Sequence, residues 1–170
     1  MVNILAQELV ARHAIEFGSF ILASGAKSDY YVDIKSAVTQ PDLLSLIART
    51  VAEQYPFDII AGVAVGGVPL AVAVSLESRK PFAIVRSAEK DHGKKNPVIG
   101  DVKGKSVLLI EDVTTSGGSA LYGVDVLRSS GAFIDRVITV VDREQGAAEM
   151  LDRHDVRLIP LVRVSELRQG

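Results

Sequence analysis

The segment from Val107 to Ser119, VLLIEDVTTSGGS, restricts the fold more than any other stretch of this chain. Its opening apolar residues show no polar alternation, which suits a strand covered on both faces. Two adjacent acids, Glu111 and Asp112, end the strand, and small hydroxylated residues and glycines follow. Beyond them Ala120, Leu121, Val124 and Leu127 fall on one face of a helix. A buried strand that turns through glycines into a helix is the unit of an open α/β sheet, whose ligands sit at the carboxyl ends of the strands.

The rest of the chain keeps that rhythm. β-branched runs predict strands over Asp58–Val63, Phe82–Arg86, Ser106–Glu111, Arg136–Asp142 and Val156–Val162. Helical spacing predicts helices over Ile4–Phe17, Pro41–Gln54, Val68–Leu76, Gly118–Ser130 and Ala147–Arg153. The alternation implies an α/β fold, a mostly parallel sheet flanked by helices. Two segments break it. Gly18–Ser36 reads as turns and short extended pieces, a small N-terminal hood. Ser87–Gly104 is a long polar loop with Glu89, Lys90, Asp91, His92, Lys94 and Lys95, and such loops inside compact domains are commonly functional.

Composition removes several classes. A chain of 170 residues fits one domain over 1–170 with a core of its own. No apolar run is long enough for a bilayer, and the N-terminus lacks the basic and cleavage-site pattern of a signal peptide. Ile4, Leu5, Leu9, Val10 and Ile15 instead suit an amphipathic helix. The absence of cysteine excludes disulfides, thiolate metal sites and a cysteine nucleophile, and agrees with a cytoplasmic location. A net charge of −2 and no Trp argue against nucleic-acid and membrane partners. No His-x-x-x-His or carboxylate–His cluster suggests a tightly protein-held metal, and His13 and His154 receive no role.

Thr115, Ser116, Gly117, Gly118 and Ser119 can turn backbone N–H groups toward one point at a helix start, a phosphate cradle. The acids just before it would repel a phosphate and are better acceptors for sugar hydroxyls. The competing reading is a plain N-cap by Ser116 or Ser119 with solvated acids. No Gly-Lys-Ser/Thr follows, so this is not a Walker loop, and Gly-x-Gly-x-x-Gly is missing too.

This segment resembles the signature of type I phosphoribosyltransferases, which bind phosphoribosyl pyrophosphate (PRPP). The resemblance runs over nearly the whole chain toward the orotate phosphoribosyltransferase family. Phe20–Gly25 with Ser28–Asp33 is similar to that family's N-terminal substrate segment. Gly62-Val63-Ala64-Val65-Gly66-Gly67-Val68-Pro69 is similar to its pyrophosphate loop. Arg86 with Lys90-Asp91-His92-Gly93 resembles its mobile catalytic loop, and Asp142-Arg143-Glu144-Gln145-Gly146 its base-recognising turn. Three positions depart from patterns common in the family, which carry lysine where this chain has Ala23, Gly66 and Ser87. Lys27, Lys35, Lys94 and Lys95 are the candidate replacements.

The resemblance implies a Rossmann-like fold and transfer of a 5-phosphoribosyl group from PRPP to orotate, with Mg²⁺ carried by PRPP and water. It implies that Glu111, Asp112, Lys90 and His92 are catalytic. PRPP would also meet Gly66, Gly67, Arg86, Val113, Thr114 and the Thr115–Ser119 loop. Orotate would meet Thr115, Arg143, Tyr30 and Tyr31, with Arg143 on its carboxylate. A homodimer with active sites shared across the interface is expected, the 87–104 loop reaching the partner's site. The rivals are transfer to another base and a non-catalytic nucleotide sensor of the same fold.

Overall fold

The computed structural model describes residues 3–21, 25, 27–87 and 96–167. Its centre is a six-stranded sheet built from β3 (Ile59–Val63), β4 (Phe82–Val85), β5 (Val98–Ile99), β6 (Val107–Thr114), β7 (Arg136–Asp142) and β8 (Arg157–Arg163). The spatial order is β5-β4-β3-β6-β7-β8, and every neighbouring pair is parallel except β4–β5. Strand order reverses between β3 and β6, which places a crevice beyond their carboxyl ends.

The unbroken apolar runs are explained by helices on both faces. On one side Ile60, Leu108, Ile110, Ile138 and Val140 pack against α1 (Ile4–Ala11), α3 (Pro41–Gln54) and α4 (Gly67–Ser78) through Leu9, Ile47 and Leu70. On the other side Ile59, Ala61, Val63, Leu109 and Val137 meet α5 (Gly118–Ser129) and α6 (Ala147–Asp152) through Val124, Leu127 and Leu151. Adjacent residues therefore serve opposite cores. Each buried Leu or Ile contributes about 1.5–3 kcal/mol relative to exposure. The sheet ends are thus a rigid base for the loops above them.

The hood corrects the expected N-terminus. The first helix stops at Ala11 and not at Phe17. His13 takes a left-handed φ of 56°, and the Ala14 N–H donates back to Leu9 O at 2.9 Å, which closes the helix end. Ile15 then enters the core from a strand, since its spacing satisfies either element. β1 (Ile15–Ile21) and β2 (Lys27–Val32) pair as an antiparallel hairpin, where turns and short extended pieces were expected. A short α2 (Ile34–Ala37) leads back to the sheet, capped by Asp33, which accepts from Ser36 N.

The stretch expected to be a loop from Ser87 to Gly104 is not irregular throughout. Val98 and Ile99 form β5 on the sheet edge, and Val98 and Val102 are buried. The chain after β8 forms a final turn of helix, α7 (Val164–Leu167).

Candidate active site

β6 runs longer than expected, to Thr114, because its pairing with β7 continues to Thr114 opposite Asp142. Glu111 and Asp112 consequently lie within the strand and are only 4% and 6% exposed. Burial of two adjacent carboxylates is costly and needs partners. Glu111 Oε1 accepts from the Ser119 hydroxyl at 2.9 Å. Burial nevertheless pushes the Glu111 carboxyl up to about 7, with Asp112 adding to the rise and Ser119 and Lys35 opposing it. Asp112 Oδ1 accepts from the Val113 N–H at 2.9 Å, and Oδ2 faces the Lys35 ammonium at 2.6 Å. Beyond that ammonium, no donor among the described residues reaches Oδ2. The Lys35 pKa is raised, chiefly by this contact.

The loop after β6 leads into α5. Its N-cap, Gly117, has a φ of 87°, a left-handed conformation that glycine adopts without strain. No side chain caps the helix, because the cap residue is a glycine and the Ser119 hydroxyl donates to Glu111. The plain N-cap by Ser116 or Ser119 is therefore not formed, and the first N–H groups of α5 have no side-chain cap at the positive end of the helix dipole. Thr115, Ser116, Gly118 and Ser119 are exposed there. Val113 is half-buried beside the acids. Thr114 is buried, and its hydroxyl donates to Asp142 Oδ1 at 3.1 Å. That bond ties the end of β6 to the end of β7.

The loop after β3 passes directly over the acids. A Cβ added to Gly66 would run into the Asp112 carboxylate as it lies here, so a larger residue would require that side chain to shift. Gly67 opens α4, and the Ala64–Val65 peptide is cis. At the neighbouring strand end, Arg86 is held by its N–H donating to Pro97 O at 2.9 Å. Its side-chain Nε is buried with no hydrogen-bond partner. A buried donor without a partner is what an oxygen of a bound phosphate would satisfy.

On the far side, the turn after β7 carries Arg143. Its N–H donates to Thr114 O at 3.0 Å, and Glu144 N donates to Asp142 Oδ1 at 3.1 Å. Glu144, at a left-handed φ of 56°, accepts from Ser165 N and Ser165 Oγ, which ties α7 to the turn. Arg143 Nε donates to the Tyr30 hydroxyl at 3.1 Å, and Gln145 Nε2 donates to the same oxygen at 3.4 Å. A cleft of about 730 Å³ opens here, lined by Lys27, Ser28, Asp29, Tyr30, Arg143 and Gln145 among others.

Of the expected site residues, Glu111, Asp112, Arg86, Gly66, Gly67 and the Thr115–Ser119 loop converge on the sheet crest. Tyr30 and Arg143 meet at the cleft. Tyr31 does not join them: it points to the other face of the hairpin, 45% exposed, with its ring 5.8 Å from that of Phe20. Lys90 and His92, with Lys94, Lys95 and Ala23, lie outside the described residues. The roles of Asp142, Glu144 and Gln145 in fixing Arg143 were not assigned from the sequence, although all lie in the quoted motif. No cluster of three metal-ligating side chains occurs among the described residues.

Residues 38–162 match the phosphoribosyl transferase domain model, and the chain belongs to the phosphoribosyltransferase family. The orotate phosphoribosyltransferase of Methanocorpusculum labreanum is 62% identical, over 98% of this chain and 99% of that one. The crystal structure of orotate phosphoribosyltransferase from Aeropyrum pernix superposes with a TM-score of 0.84 at 32% identity, covering 98% of this chain and 97% of that one. That of the Mycobacterium tuberculosis enzyme in complex with PRPP gives a TM-score of 0.79 at 28% identity, covering 98% of each chain. At family level, then, this chain stands among the orotate phosphoribosyltransferases.

Proposed function

We propose that the chain transfers the 5-phosphoribosyl group from PRPP to orotate, forming orotidine 5′-monophosphate and pyrophosphate. The observation that carries this reading is the buried Glu111–Asp112 pair set directly before an α5 N-terminus that no side chain caps. The full-length likeness to orotate phosphoribosyltransferases supports the choice of base.

A bond forms between a ring nitrogen of orotate and the anomeric carbon of ribose. The carbon–oxygen bond to pyrophosphate breaks, and its electron pair leaves with pyrophosphate. Orotate attacks as an anion, so the protein need supply little proton chemistry. Its task is position and charge. The Thr115–Ser119 backbone holds the 5′-phosphate. Asp112 and Glu111 accept from the ribose hydroxyls and face the positive charge that grows on the ring. The 64–67 backbone and Arg86 receive the pyrophosphate. Arg143, steadied by Tyr30, pairs with the orotate carboxylate, for which a guanidinium fork is well shaped. Two carboxylates and no cluster of three ligating side chains among the described residues fit an ion carried mainly by substrate oxygens and water, while the Arg86 donor suits a phosphate oxygen. Mg²⁺, when bound, supplies neutralisation of the leaving pyrophosphate. Lys90 and His92 are assigned to the same charge, acting from the partner subunit of a homodimer.

The test is spectrophotometric. Orotate absorbance should fall when PRPP and Mg²⁺ are added, and not with either alone. Turnover of adenine, xanthine or uracil with orotate untouched would overturn the choice of base.

A further inference from the structure

Lys35 has no place in the mechanism above, yet its ammonium sits on Asp112 Oδ2. Oδ1 already accepts from the Val113 N–H, so Oδ2 is the oxygen left to accept from ribose. The contact links two elements, since Lys35 belongs to α2 in the hood and Asp112 to β6. If it were only a structural ion pair it would work against the reaction, because an ammonium there cancels the negative charge that must face the developing ribose cation.

Exposure shows which partner can move. The Lys35 side chain is 63% exposed and that of Asp112 is 8% exposed. The lysine has a flexible stem in solvent and can leave, while the carboxylate is fixed by its strand and by the Val113 N–H. A destination lies alongside. The 64–67 loop packs against the same carboxylate, since a Cβ on Gly66 would strike it. That loop, Ala64-Val65-Gly66-Gly67, has no charged side chain of its own. A pyrophosphate seated there meets backbone from the loop and needs cations from neighbouring elements.

We propose that Lys35 is a pyrophosphate-binding residue: it rests on Asp112 Oδ2 and passes to the pyrophosphate of arriving PRPP, which turns that oxygen over to the ribose. One ion pair is exchanged for two favourable contacts, so the acid is kept ionised and placed without a standing penalty to the transition state. The proposal rests on the reading of the chain as a PRPP-dependent transferase.

The test uses the full chain and two separate ligands in calorimetric titrations: pyrophosphate with Mg²⁺, and ribose 5-phosphate. Lys35→Met keeps the stem and removes the charge, while Lys35→Arg keeps a cation. Lys35→Met should weaken pyrophosphate binding roughly tenfold or more, the size of one lost charge-assisted contact. Ribose 5-phosphate should bind it as tightly as wild type or more tightly, because Asp112 is then unoccupied. Lys35→Arg should restore most of the pyrophosphate affinity. In turnover the KM for PRPP should rise in Lys35→Met while that for orotate holds. Unchanged pyrophosphate binding in Lys35→Met overturns the proposal. So does equal weakening of both ligands, which would mean that Lys35 merely keeps Asp112 in place. A wild-type chain that binds both ligands but leaves orotate untouched would sink the reading of the base and leave this comparison intact. One that binds neither would sink the transferase class and this proposal together.

Discussion

Glu111 and Asp112 are neighbours in sequence with different surroundings, and each difference has a measurable consequence. Glu111 is pushed up to about 7 mainly by burial, against the help of Ser119 and Lys35. A carboxyl whose folded pKa is raised costs nothing below its unfolded value of 4.5. Stability is then lost as pH climbs toward 7, because the unfolded chain gives up the proton first. The full cost above that range is on the order of 3 kcal/mol. Glu111→Gln should therefore raise the melting temperature at pH 8 and leave it little changed at pH 4.5. In its ionised form the same group is the stronger acceptor for ribose hydroxyls and carries the charge that faces the ring. The kcat/KM for PRPP should accordingly rise through about pH 7 in the wild type. That limb should be missing in Glu111→Gln, and its persistence would assign it to another group. For Asp112 the prediction concerns rate. Asp112→Asn keeps shape and removes charge, and should slow turnover by roughly 10²-fold or more if the acid faces transition-state charge. Unaltered turnover would remove Asp112 from the mechanism.

At the scale of elements, the sheet was readable because its strands obey a rule local to the sequence. VLLI and VITVV are apolar without alternation, and both faces are covered. The ends were harder to read. β6 extends past Glu111 because β7 pairs with it to Asp142, and a long-range partner leaves no mark on the residues it pairs. Ile15 fits the helical spacing of the first segment, so only the turn at His13 and the pairing with Val32 decide for a strand. The candidate site was legible where one motif holds both chemistry and turn, as in the loop before α5. It was not legible where distant residues meet. Nothing near Lys35 in sequence announces Asp112, and nothing near Tyr30 announces Arg143. Tyr30 joins the hairpin to the β7–α6 turn, which gives a prediction for the element as a whole. Tyr30→Phe removes one acceptor shared by Arg143 and Gln145. The guanidinium loses that hydrogen bond, a change of about 1 kcal/mol, and keeps its place 4.8 Å from the centre of the aromatic ring. The KM for orotate should rise several-fold and that for PRPP should hold. An equal rise in both would show that the hood had shifted as a body.

The molecule as a whole raises the question of where Lys90 acts. Asp112 is built into the sheet of its own chain, whereas the 87–104 segment leaves from the sheet edge beside β4 and returns as β5. The prediction from family likeness is that Lys90 serves the site of a partner subunit. Lys90→Ala and Asp112→Ala homodimers should each be nearly inactive. When they are mixed and subunits exchange, the site built on the Lys90→Ala chain keeps its acid and borrows an intact lysine. The other site of that hybrid carries both defects. Random exchange of equal amounts makes about half the dimers hybrid, each with one whole site, so activity should return to about a quarter of wild type. If Lys90 serves its own subunit, every site in the mixture remains defective and no activity returns, with exchange verified by mass spectrometry of labelled chains. A monomer in solution would fail the prediction earlier, because a chain with no partner cannot complement another. The quarter recovery is therefore a joint test of two-fold assembly and of a loop that works across it.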